Sequence, residues 1–185
     1  YYLGMPFFAL YMAEELGLPQ NLIGFAIVFQ AIVSIVGYFI FGRLGNIWGS
    51  KFVLQVSNIS GFIGMLGFFF IPNISNYITG LYPETDSIEV IKYSYFLFYI
   101  FIQICYLTQT IGRYSYILDV APKELRPSFI GFAQTGLFPI LILSMLNGVI
   151  ADVFSRQILF LICAIMFMLA QLPAYWMENI KKQRS

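Results

Sequence analysis

Apolar residues run along this chain in blocks of about 20, and at about 1.5 Å per residue each block forms a helix long enough to cross a hydrocarbon core about 30 Å thick. Five blocks are complete: Asn21 to Gly42, Phe52 to Pro72, Tyr93 to Asp119, Pro127 to Asp152 and Ile158 to Met177. The opening stretch Tyr1 to Met12 is apolar but too short to span, and the chain begins with Tyr, so a sixth helix is expected to be truncated here. A signal peptide is the poorer reading, because the stretch has no basic leading region and no small-residue cleavage site.

The longest polar break runs from Asn73 to Lys92 and is expected to be a connection. It holds a turn at Tyr82-Pro83 and then Asp86-Ser87-Ile88-Glu89, which reads as a capping box opening the next helix. Asn73-Ile74-Ser75 within it matches the glycosylation sequon, a triplet common by chance.

An internal repeat organises the blocks. Ile23-Gly24-Phe25-Ala26 recurs as Ile130-Gly131-Phe132-Ala133, and Leu18 falls on Leu125 in the same register. With one gap, Gly42-Arg43-Leu44-Gly45-Asn46 then meets Gly148-Val149-Ile150-Ala151-Asp152. Each copy holds three helices, and an odd number turns the second copy upside down relative to the first. The expected fold is an all-α membrane protein: one transmembrane domain over residues 1–185, a six-helix bundle of two inverted three-helix repeats. The repeats cover about residues 1–72 and 93–177, and a basic tail occupies 178–185.

Composition agrees with this placement, since 59% of residues are hydrophobic and only 10% charged, far from the balance of a soluble domain. A net charge of +1 gives no reason to expect a nucleic-acid partner. The distribution of charge says more. Alternating loops put Arg43, Lys51, Lys123, Arg126, Lys181, Lys182 and Arg184 on one side, against Lys92 and Arg156 on the other, which also collects Glu14, Glu15, Glu84, Asp86, Glu89 and Asp152. The basic side, with the C-terminus, is expected to be cytoplasmic, in a multi-pass protein of the plasma membrane. Tyr93, Tyr95, Tyr175 and Trp176 mark the interfaces as an aromatic belt. Cys105 and Cys163 lie inside spans and read as small packing residues.

Two loops carry a family resemblance. Gly42-Arg43-Leu44-Gly45-Asn46-Ile47-Trp48-Gly49-Ser50-Lys51 resembles the signature loop of the major facilitator superfamily, with Gly42, Leu44, Gly49 and Lys51 in place. Asn46 stands where that loop has an acid and Ile47 where it has a basic residue, a departure more typical of C-terminal halves. Asp119-Val120-Ala121-Pro122-Lys123-Glu124-Leu125-Arg126, followed by Gly131, is similar to the family's connection between the fourth and fifth helices of a half. The resemblance implies half of a major facilitator fold, the C-terminal half, with a second six-helix half of the same chain or a second copy as its partner. It also implies a conformational latch at Gly42, Leu44, Asn46, Gly49 and Lys51, and a second loop motif at Asp119, Pro122, Arg126 and Gly131.

The function expected is secondary active transport of a small-molecule substrate across the lipid bilayer by alternating access. Gln103, Tyr106, Thr110 and Arg113 recur three, four and three residues apart on one face of the third full block after Asn21, and the resemblance makes that helix one that lines the substrate cavity. An intramembrane Arg is a functional candidate by default, although Arg113 lies near enough to the helix end to snorkel or to pair with Asp119. Gln30, Ser34 and Tyr38 on one helix, and Gln134, Thr135 and Asn147 on another, are expected to bond between helices, with Gln30 the preferred substrate contact. Ser57, Gly61, Gly64 and Gly67 offer small faces for close helix packing.

Other classes fare less well. With no His in the chain, no clustered nucleophile and base and no ligand set, neither a catalytic site nor a metal or cofactor site is expected. Proton coupling needs a titratable group in the cavity, and no Asp or Glu falls at the centre of a span, so coupling is expected to reside in the other half. A channel or an assembly scaffold is the alternative that polar stripes and small faces also suit.

Overall fold

The computed structural model describes residues 7–19, 21–136, 138–139 and 155–177, which are helices and short connections with no strand among the described residues. A short helix α1 (Phe7–Leu10) runs into a π-helical turn (Tyr11–Glu15). Then follow α2 (Asn21–Trp48), α3 (Ser50–Leu81), α4 (Ser87–Val120), α5 (Arg126–Thr135) and α6 (Arg156–Trp176). Helices α2, α3, α4 and α6 are each long and apolar enough to cross a membrane. The span expected from Pro127 to Asp152 is described over α5 and residues 138–139; Asn147, Asp152 and the tail 178–185 lie outside the described residues.

Contacts at the helix ends give the order of an up-and-down bundle. Ser50 at the start of α3 meets Asp119 at the end of α4, and Lys51 meets Tyr175 at the end of α6. At the opposite end Glu14 and Glu15 meet Arg156 at the start of α6, and Ser75 of α3 meets Ser87 at the start of α4.

The connection expected between Asn73 and Lys92 is mostly helix. α3 continues through Pro72 to Leu81 and α4 begins at Ser87, which leaves only residues 82–86 between them. The polar residues that read as a loop are the solvent-side ends of helices longer than the bilayer requires; 32 and 34 residues are about 48 and 51 Å of helix. The sequon Asn73-Ile74-Ser75 therefore lies on α3, where Ser75 is buried and its hydroxyl donates to the Ser87 carbonyl, not on an accessible loop. Asp86 does cap α4, accepting from the Ile88 N–H at 2.9 Å. Glu89, however, turns to Lys92 at 3.8 Å instead of reaching back, so half of the capping box forms.

Helix α3 is the centre of the packing. A Cβ added at Gly61 would lie 2.6 Å from Phe167 of α6, one at Gly64 2.6 Å from Ile102 of α4, and one at Gly67 2.0 Å from Phe98 of α4. Lipid tails are as apolar as side chains, so this close contact, not exclusion from water, holds the helices together. The Ser57 hydroxyl adds an interhelical bond to the Cys105 carbonyl at 2.9 Å. The segment of α1 and its π-turn is also a core element. Phe8, Tyr11 and Met12 are buried, and the Phe8 ring stacks on Phe160 of α6 at 5.6 Å. By contrast α2 buries only Ala26 and Gly37 among its 28 residues, leaving most of its apolar surface for lipid or another protein body.

Candidate functional site

Gln103 is the seventeenth of the 34 residues of α4, at the middle of the longest span, and it is 1% exposed. One and two turns earlier on the same face stand Tyr99 and Tyr95, both buried. The Tyr99 hydroxyl donates to Gln30 Oε1 of α2 at 3.0 Å, and the Tyr95 hydroxyl donates to the Phe8 carbonyl at 3.2 Å. Gln103 Oε1 is buried and has no hydrogen-bond partner among the described residues. The residue lines a cavity of about 160 Å³ between α1 with its π-turn, α2 and α4, whose wall also includes Phe8, Met12, Ala26, Tyr95 and Tyr99.

The expected stripe does not converge on this cavity as a whole. Gln103 lines it and Gln30 reaches it through Tyr99. Tyr106 and Thr110 are half-buried one and two turns further along, beside Tyr38 of α2, and the Thr110 hydroxyl donates back to the Tyr106 carbonyl of its own helix at 2.9 Å. Arg113 is about 15 Å along the helix from Gln103 at 1.5 Å per residue. Its guanidinium lies 5.1 Å from the centre of the Tyr114 ring. Asp119 instead accepts from the Ser50 hydroxyl at 3.2 Å, so the pairing of Arg113 with Asp119 does not form among the described residues.

Tyr95 and Tyr99 are the site residues that reasoning from the stripe missed. They precede Gln103 by eight and four residues, and the same helical period carried two turns upstream finds them. No such signal points to Phe8 or Met12, which reach the cavity from a segment distant in sequence.

The two loop motifs meet at one end of the bundle, the end that carries Lys51. The segment from Gly42 to Trp48 is the last turns of α2 rather than a loop, and Gly49 alone joins α2 to α3. Gly49 has φ 91° and ψ 165°, a conformation essentially confined to glycine, and this lets two helices follow each other with one residue between them. Lys51 Nζ donates to the Tyr175 carbonyl at 2.6 Å and lies 5.4 Å from the Tyr175 ring. Through Ser50 and Asp119 the first motif is bonded to the second. Leu44 is half-buried, an added Cβ at Gly42 would meet open space, and Asn46 is exposed with no side-chain hydrogen bond among the described residues.

In the second motif Pro122 follows the end of α4, and Arg126 Nη2 donates to the Leu118 carbonyl at 2.9 Å, closing the last turn of that helix. Gly131 is exposed on α5. Gln134 Nε2 donates to the Tyr114 hydroxyl at 2.5 Å and ties α5 to α4. The Thr135 hydroxyl, expected to bond between helices, returns to the Gly131 carbonyl of its own helix at 3.0 Å. Among the described residues no group of three His, Cys, Asp or Glu side chains could hold a metal ion.

No curated protein and no solved structure matches the chain. A family model does: the one described as Major Facilitator Superfamily covers residues 1–185. A multi-pass helical bundle that brings both resemblance-bearing motifs to one end, matched over its whole length by that model, belongs to the major facilitator superfamily, a family of membrane transporters.

Proposed function

We propose that the protein is a secondary active transporter that carries a small solute by alternating access, rocking this bundle against a second one supplied by the rest of its chain or by another copy. The observation that carries the reading is Gln103, a buried amide at the middle of the longest span that lines a cavity between helices. Polar groups at that depth are costly and concentrate where transporters bind their cargo. Gln30 supports the pocket through Tyr99, while Tyr106, Thr110 and Arg113 extend the polar face toward the basic end.

In this reading the end with Arg43, Lys51, Lys123 and Arg126 is cytoplasmic, as is the C-terminus, in the plasma membrane. The two inverted repeats are the halves about 1–72 and 93–177, with Ile23 to Ala26 early in α2 and Ile130 to Ala133 in α5 as corresponding positions. The exposed side chain of Asn46 is the latch position available to the second bundle, and it acts as a neutral hydrogen-bonding group.

The test is uptake from a mixture of small metabolites into proteoliposomes holding the full chain, read by mass spectrometry. Saturable accumulation of one solute, accelerated by the same solute inside, is the expected result. A flux that neither saturates nor accelerates is a channel's, and no flux overturns transport. If Arg113→Ala leaves the uptake unchanged, Arg113 has no part in the site.

A further inference from the structure

We infer that Arg113, backed by the Tyr114 ring, is a binding site for a phosphate group at the membrane boundary of the basic end. The inference goes beyond the transport reading and does not rest on it.

Every other half-buried cation among the described residues has an acceptor. Lys51 reaches the Tyr175 carbonyl, Lys92 pairs with Glu89, Arg126 reaches the Leu118 carbonyl, and Arg156 pairs with Glu14 and Glu15. Arg113 has neither a carboxylate nor another hydrogen-bond acceptor among them. Asp119, the nearest acid along the chain, accepts from Ser50 instead. The guanidinium nitrogens of Arg113 are not closed off from the surface, so a ligand can reach them.

The guanidinium is also held ready. It lies over the face of Tyr114, 5.1 Å from the ring centre. Stacking of this kind leaves the in-plane fork of N–H donors free, and the fork matches two oxygens of a phosphate. Tyr114 is fixed in turn by Gln134 of α5, whose Nε2 donates to its hydroxyl at 2.5 Å. That hydroxyl donates to nothing among the described residues, which leaves its own proton as a further donor.

Depth points to phosphate. Arg113 stands about 15 Å along α4 from Gln103 at mid-span, half of a hydrocarbon core about 30 Å thick, and this is where the headgroup layer begins. Lys51, Lys123 and Arg126 at the same end add positive potential that draws anions there. Two sources supply such a group: the headgroup of an anionic phospholipid and a soluble phosphate ester.

The experiment sets each source against its phosphate-free twin. The full chain, delipidated in neutral detergent, is titrated with phosphatidylglycerol and with diacylglycerol of the same chains, then with glycerol 3-phosphate and with glycerol. Bound ligand is counted by native mass spectrometry. At least one phosphate-bearing probe is expected to bind saturably, and at least about tenfold more tightly than its twin, the effect of a hydrogen bond to a charged group. Binding of phosphatidylglycerol alone assigns the site to lipid, and binding of glycerol 3-phosphate assigns it to a soluble ester. Arg113→Gln should remove the preference for phosphate, and Arg113→Lys, which keeps the charge without the fork, should retain part of it. Neither change should lower the melting temperature of the ligand-free protein, where Arg113 bonds to no acceptor. No saturable binding of either phosphate probe, equal binding of the twins, or a preference that survives Arg113→Gln each overturns the inference and leaves Arg113 a snorkelling side chain.

Uptake is read separately. Arg113-dependent phosphate binding with no solute carried into proteoliposomes leaves this site standing and removes the transport reading. Saturable uptake by a protein that binds neither phosphate probe does the reverse.

Discussion

The Tyr11 hydroxyl donates a 3.0 Å hydrogen bond to the Phe68 carbonyl, the acceptor that Pro72, four residues on and without an N–H, leaves open inside α3. A proline in a helix interior removes this one bond and crowds the carbonyl behind it. In a membrane no water stands by to replace the donor, and a neighbouring helix must supply it. The π-helical turn that carries Tyr11 does so, and Tyr11 and Phe68 are both fully buried.

Tyr11→Phe should therefore cost about 1–3 kcal/mol of stability, the penalty of a buried unsatisfied acceptor. In a Pro72→Ala background the helix regains its own donor, and the same Tyr11→Phe change should cost less than half as much. Thermal unfolding of the four proteins in one detergent gives the coupling. A value near zero means that Tyr11 is held by packing on Phe160 and Phe68 and that the carbonyl is satisfied otherwise.

The same segment shows where sequence reading stops. The positions of α2, α3, α4 and α6 were legible because the bilayer sets a minimum apolar length, and the placement of Gln103, Tyr106, Thr110 and Arg113 along α4 was legible from their helical spacing. The ends of α3 and α4 were not, since residues beyond the hydrocarbon are polar whether helical or not. Pro72 read as a stop because its rescue by Tyr11 is a tertiary fact. Nor can periodicity along one helix reveal that Phe8 stacks on Phe160, or that Arg113 and Gln103, on one face, serve different places.

Gly49 offers a local prediction. Its φ of 91° with ψ of 165° lies where a Cβ is strained whatever room surrounds it. Gly49→Ala should cost about 1–3 kcal/mol. The neighbouring Gly42, in ordinary helix with open space around it, should accept Ala at no cost or with a small gain from helix propensity. Thermal unfolding of both variants decides it, and equal behaviour would mean that the α2–α3 turn relaxes to a longer loop.

Lys51 reaches the last turn of α6, where carbonyls have no partner within their own helix and the helix dipole favours a cation. The side chain is partly exposed and so contributes modestly, about 0.3–1 kcal/mol, which in local opening is about a twofold to fivefold change. Lys51→Met keeps the apolar stem and its packing on Tyr175 but loses the donor and the charge, whereas Lys51→Arg retains both. Hydrogen exchange should accelerate at the end of α6, around Ala174 to Met177, in Lys51→Met alone, while the middle of α6 is unmoved. If instead Lys51 serves only the headgroup layer, neither substitution will change exchange there. Lys51 would then be a membrane anchor, and the two loop motifs would be joined through Ser50 and Asp119 without a tie to α6.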